Sequence, residues 1–101
     1  MDVKEFVGKA MNDKAFMLEV FKHLPDEMMQ EGAIPEEYKG QIGKGFGKFC
    51  WSGAQAMGVD CTEEELIAEC DRQYNALGAL AKVGFFPRMI KTLGTAKPKK
   101  K

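Results

Sequence analysis

The chain has 101 residues, 45% of them apolar and 30% charged, with a formal net charge of zero. That length suits one domain with a core of its own, and the apolar share excludes a chain disordered by composition. The charge is unevenly placed. Residues 1–81 hold 15 acids and 8 bases, a net of −7, whereas residues 82–101 hold 7 bases and no acid. This is the pattern of an acidic body with a basic tail.

Cys50, Cys61 and Cys70 are odd in number and form no C-x-x-C pair, so a disulfide framework is not expected and a reducing compartment is. The first fourteen residues carry charges throughout and lack an apolar core of signal-peptide length. The longest weakly polar run, residues 76–86, contains Lys82 and is too short to span a bilayer. A soluble, cytoplasmic protein is therefore expected. Val, Ile and Thr are scarce, while Ala, Met, Lys and Glu are plentiful, which favours helix over strand.

In chain order, Asp2 can cap a first helix whose inner face is Val3, Phe6, Val7, Ala10 and Met11. Asn12-Asp13 interrupts it and can cap a second, with Phe16, Val20, Phe21 and Leu24 as its stripe and Met17 beside it. Leu24-Pro25 ends that helix, because a residue before proline avoids the helical region. PDEMMQEG, residues 25–32, reads as a further turn closed by Gly32. Ile34-Pro35-Glu36-Glu37 opens a glycine-rich stretch in which five of the eleven glycines fall between Tyr38 and Met57. Two stripes run through it at helical spacing. One is large (Tyr38, Ile42, Phe46, Phe49, then Gly53) and one is small (Gly43, Gly47, Cys50, Ala54). The small stripe would let another helix approach closely, against a propensity cost of about 1 kcal/mol per interior glycine.

After a linker at residues 58–61, Thr62 to Glu65 reads T-E-E-E, a capping box. The helix it starts carries Leu66, Cys70, Tyr74, Leu77 and Ala81 on one face, with Gly84 as the stop. Phe85-Phe86-Pro87 then reads as a sharp bend, followed by a short helix from Pro87 to Leu93 ended by Gly94. The expected architecture is an all-α, single-domain bundle of four to five helices over residues 1–94, with a disordered basic tail at 95–101. Leu66, Tyr74 and Leu77 should pack on the first two helices and the glycine-rich segment, burying Phe6, Phe16, Val20, Phe21 and Phe46.

The motifs that could carry chemistry have structural readings too. GKGFGK, residues 43–48, suggests a phosphate loop, with Lys44 or Lys48 adding charge. However, Lys48 is followed by Phe49 rather than Ser or Thr, and no buried strand precedes the run. His23, Cys50, Cys61 and Cys70 are zinc-ligand types without the short paired spacings that deliver four ligands at about 2.0–2.3 Å. Cys61, beside the cap at Thr62, is a candidate reactive thiol because a helix N-terminus lowers a thiol pKa, with Glu63 to Glu65 acting against it. One histidine and no nucleophile–base pattern give no catalytic residue, and no metal or cofactor is expected. Seven methionines, Met28-Met29 among them, could form an adaptable surface or simply fill the core. Lys44, Phe46, Lys48, Phe49 and Trp51 mix aromatic and basic residues as nucleic-acid platforms do, but the acidic body opposes binding to phosphates.

The stretch from Val7 to Glu37 matches Lys9-Ala10, Asp13, Ala15-Phe16, Glu31-Gly32 and Ile34-Pro35 of a recurring pattern. It resembles the leader region of ribosomally made peptide precursors related to nitrile hydratase alpha chains. GVDCTEEEL, residues 58–66, is similar to a segment of Nif11-like leaders. The resemblance implies a leader that docks on a peptide-modifying enzyme, with a core peptide after a Gly-Ala site such as Gly78-Ala79. Glu65-Leu66 lies farther from that pair than the pattern places it, and only Thr92 and Thr95 follow as modifiable residues. On this reading the protein is a non-enzymatic binder of a protein partner, as a precursor or accessory subunit, with Phe16, Phe21, Met28 and Met29 as the partner-binding side chains. The alternative is a binder of nucleic acid or anionic membrane through Arg88, Lys91, Lys97, Lys99, Lys100 and Lys101, with Phe85, Phe86, Met89, Ile90 and Leu93 inserted where the surface is lipid.

Overall fold

The computed structural model describes residues 1–29, 38 and 40–97. It contains α1 (Val3–Asn12), α2 (Lys14–Lys22), a 3-10 turn (Asp26–Met29), α3 (Ile42–Ala56), α4 (Glu63–Asn75) and α5 (Ala79–Ala96), and no strand among the described residues. The fold is the all-α bundle that composition and periodicity suggest. The entry into the glycine-rich stretch, residues 34–37, lies outside the described residues.

Local chemistry sets most of the boundaries. Asp2 accepts from the Glu5 amide at 2.8 Å and opens α1. Asp13 does two tasks: its own N–H closes α1 on the Lys9 carbonyl, while its carboxylate accepts from the Ala15 and Phe16 amides and opens α2. Thr62 and Glu65 form both halves of the capping box of α4. At the end of α3, Gly58 takes φ +72°, Val59 N–H bonds the Ala54 carbonyl and Gly58 N–H bonds the Gln55 carbonyl. These two bonds are a Schellman closure, which needs a left-handed residue there.

The small stripe lets α3 and α4 pack as close antiparallel neighbours, the most extensive helix contact in the fold. A Cβ built on Gly43 would lie 2.8 Å from Asp71 Cα, and one on Gly47 would lie 2.8 Å from Ile67 Cα. Gly53 serves α2 in the same way, with its virtual Cβ 2.8 Å from the Val20 carbonyl oxygen. Phe46 and Phe49 build a chain of edge-on rings with their neighbours. Phe49 meets Phe21 at 6.2 Å, Phe21 meets Phe46 at 5.9 Å, Phe46 meets Phe85 at 5.1 Å and Phe85 meets Tyr74 at 5.5 Å. This chain ties α2, α3, α4 and α5 together, and each such pair adds about 0.5–1.5 kcal/mol beyond burial of its area. Phe6, Val20, Phe21, Phe46 and Leu66 are fully buried. Phe16, Tyr74 and Leu77 are only partly so.

The last third of the chain departs from the sequence reading. α4 stops at Asn75, and Ala76 to Gly78 turn the chain before α5 begins. Ala81, expected on the α4 stripe, is exposed. α5 then runs without interruption through Gly84, Pro87 and Gly94. The reason is a second buried stripe, Phe85, Met89, Thr92 and Leu93, which continues across Pro87 and lays α5 mainly on α2. Proline removes the N–H that would reach the Val83 carbonyl. Both residues lie on the exposed face, where water can bond that oxygen instead. Thr95 and Ala96 are helical, so the ordered body passes two residues beyond the expected limit; residues 98–101 lie outside the described residues.

Candidate functional site

The residues singled out from the sequence do not converge on one site. Phe21 is fully buried in the ring chain, so it builds the core and offers nothing to a partner, a correction that follows from its place between α2 and α3. Phe16 is half-buried, edge-on to Phe6 at 5.6 Å with Lys9 Nζ 6.0 Å from its ring. Met28 and Met29 close the 3-10 turn, and their side chains lie outside the described residues.

The basic residues are more engaged than the sequence suggests. Arg88 donates to the Met11 carbonyl in the last turn of α1, and its guanidinium lies 5.6 Å from the Phe85 ring. It therefore closes a helix end, where a cation is favourable. Lys97 finds an acidic partner in Asp26 at 3.4 Å. Lys91 is exposed. Lys99, Lys100 and Lys101 lie outside the described residues.

The phosphate-loop reading fails on geometry. GKGFGK lies inside α3, so its backbone N–H groups belong to a helix rather than a loop, and Lys48 pairs with Glu63 at 3.0 Å. Among the described residues no three His, Cys, Asp or Glu side chains are grouped to hold a metal. Burial pushes the Cys50 thiol well up, helped by its hydrogen bond with Cys70. Partial burial raises Cys61 too, with Glu65 and Asp60 adding to it. The cap at Thr62 therefore does not activate Cys61, because desolvation and the adjacent carboxylates outweigh it. A groove of about 340 Å³ between α2 and α5 is lined by Lys14, Ala15, Leu18, Thr92 and Thr95. The hydroxyls of Thr92 and Thr95 donate to the Arg88 and Lys91 carbonyls, so neither hydroxyl proton is available to a ligand.

The surface that sequence reasoning missed is the outer face of α5. Leu80 is 91% exposed, Val83 74%, and Phe86 and Ile90 45% each. Leu80, Val83, Pro87, Ile90 and Gly94 repeat at three and four residues, the spacing of one helical stripe, with Phe86 at its margin. Of the side chains expected to meet a membrane, Phe85, Met89 and Leu93 are in the core, and only Phe86 and Ile90 face outward. The spacing was visible in the sequence, but reading Pro87 as a bend divided the stripe into two unrelated pieces.

No family model matches this chain, and no curated protein or solved structure matches it.

Proposed function

We propose that this protein is a non-enzymatic docking module whose binding surface is the outer face of α5. The observation that carries the reading is the exposure of Leu80, Val83, Phe86 and Ile90 along eleven residues of one helix. Single exposed apolar residues are ordinary, but a contiguous row marks an interaction surface. Covering a large aliphatic or aromatic side chain contributes about 1.5–3 kcal/mol. Four partly exposed ones supply several such increments, minus the cost of association. The face is convex and made of side chains with no catalytic chemistry, so it suits adhesion rather than turnover.

The test compares the wild type with a Leu80→Ser, Val83→Ser, Ile90→Ser variant. All three residues lie outside the core, so the thermal melt should be unchanged. Both proteins are titrated against a candidate peptide-modifying enzyme, lipid vesicles and duplex DNA. Binding to at least one target that is lost in the variant supports the reading. Equal binding by both proteins, or binding to none of the targets with no self-association of the wild type either, refutes it.

A further inference from the structure

Resting on that docking reading, we infer that the surface α5 fits is an anionic lipid layer, with the helix lying in the plane of the headgroups. The first argument is charge. No Asp or Glu follows Asp71, whereas Lys82, Arg88, Lys91 and Lys97 fall on or at the end of α5 and three more lysines follow. Lys82, Arg88 and Lys97 turn back to the body, at the Tyr74 ring, the Met11 carbonyl and Asp26, while Lys91 borders the stripe. A second copy mated through this face would offer that ammonium no carboxylate, which counts against it. An anionic layer is the complementary partner. It also orients the molecule, since it attracts the basic end and repels the body of net charge −7 over residues 1–81.

The second argument is shape. Leu80 and Val83 stand almost free of the body, and the stripe between them and Ile90 is about 15 Å long at the helical rise per residue. A protein partner would need a groove cut to this convex ridge, whereas a fluid layer conforms to it. No helix among the described residues is long and apolar enough to cross a membrane, so contact through α5 would be in plane. Lys91 lies one turn beyond Pro87 at the edge of the stripe. There its aliphatic stem can lie along the acyl boundary while the ammonium reaches headgroup phosphate. Duplex DNA shares the anionic charge but has no use for Leu80 and Val83.

The experiment uses the full chain with vesicles of phosphatidylglycerol and phosphatidylcholine, vesicles of phosphatidylcholine alone, duplex DNA and the candidate peptide-modifying enzyme, and sedimentation velocity without lipid. The expected result is co-flotation with the anionic vesicles at least about tenfold stronger than with the neutral ones. It should fall steeply as salt rises. Leu80→Gln with Val83→Gln should lower it by about tenfold or more with an unchanged melt, and Lys91→Gln by a smaller factor. Equal binding to both vesicle types overturns the inference, as does undiminished vesicle binding by the Leu80→Gln, Val83→Gln variant. Self-association that this variant abolishes, or enzyme binding that it abolishes, without vesicle binding, overturns the lipid assignment and leaves the docking face standing. Salt-sensitive DNA binding that the variant retains, without vesicle binding, overturns both.

Discussion

Gly45 and Gly47 stand two residues apart in α3, both buried, and replacing each with alanine should have opposite effects. A Cβ on Gly45 would meet nothing within 4 Å, so Gly45→Ala should gain the helix-propensity difference of about 0.5–1 kcal/mol. A Cβ on Gly47 would lie 2.8 Å from Ile67 Cα, 3.0 Å from its Cγ1 and 3.3 Å from its Cβ. The first of these atoms is backbone, so relief requires α4 itself to move rather than a side chain to rotate. Overpacking of this kind costs about 1–3 kcal/mol. Propensity cancels between the two variants, which should therefore differ by about 1–3 kcal/mol. Urea unfolding followed through Trp51, which is partly buried against the core, would show this as midpoints separated by about 1 M. The thermal midpoints should separate by about 4–8 °C per kcal/mol. Coincident midpoints for the two variants would refute the close-approach account of the α3–α4 contact. Gly47→Leu should be worse than Gly47→Ala, because the added atoms have the same backbone to displace.

Leu66→Ala, at a fully buried position, should cost about 2–5 kcal/mol in denaturant unfolding, and Leu77→Ala clearly less because Leu77 is only partly covered. Thr62→Ala removes the acceptor for the Glu65 amide and should cost about 1 kcal/mol, read as a drop in thermal midpoint. Hydrogen bonds from Arg72 and then Gln73 hold the Glu69 carboxyl below its usual range. The stabilisation is therefore full above the unfolded value of about 4.3 and is lost as pH falls through the lower folded value. Glu69→Gln should accordingly lie below the wild type in stability at neutral pH, and the gap should close on acidification. A gap independent of pH would show that the carboxylate does not bear the difference.

Several features were fixed by short-range chemistry and are legible in the sequence without a structure. Asp2, Asp13 and Thr62 each cap a helix because a side-chain oxygen two or three residues from an amide needs no tertiary contact to find it. Pro25 ends α2 and Gly58 closes α3 for backbone reasons that are equally local. The small stripe of Gly43, Gly47, Cys50 and Ala54 could be read as a close-approach face from its period alone. The all-helical class follows from the same two sources, propensity and period.

Other features were decided only when the helices met. Period cannot tell one helix from two when an apolar residue happens to continue the pattern, as Ala81 does after Leu77. A proline within a helix is readable as a break unless the stripe it interrupts is known to be buried on both sides, as Phe85 and Met89 are. Which of Phe85 and Phe86 faces inward depends on the position of α2, and that choice leaves Leu80, Val83, Phe86 and Ile90 outside. Phe21 looks as suitable for a partner as Phe16 until α3 covers it. Arg88 and Lys97 look unpaired until α1 and Asp26 come within reach. Burial and pairing are properties of distant segments brought together, so the sequence determined the helices of this protein, and their packing determined its outer face.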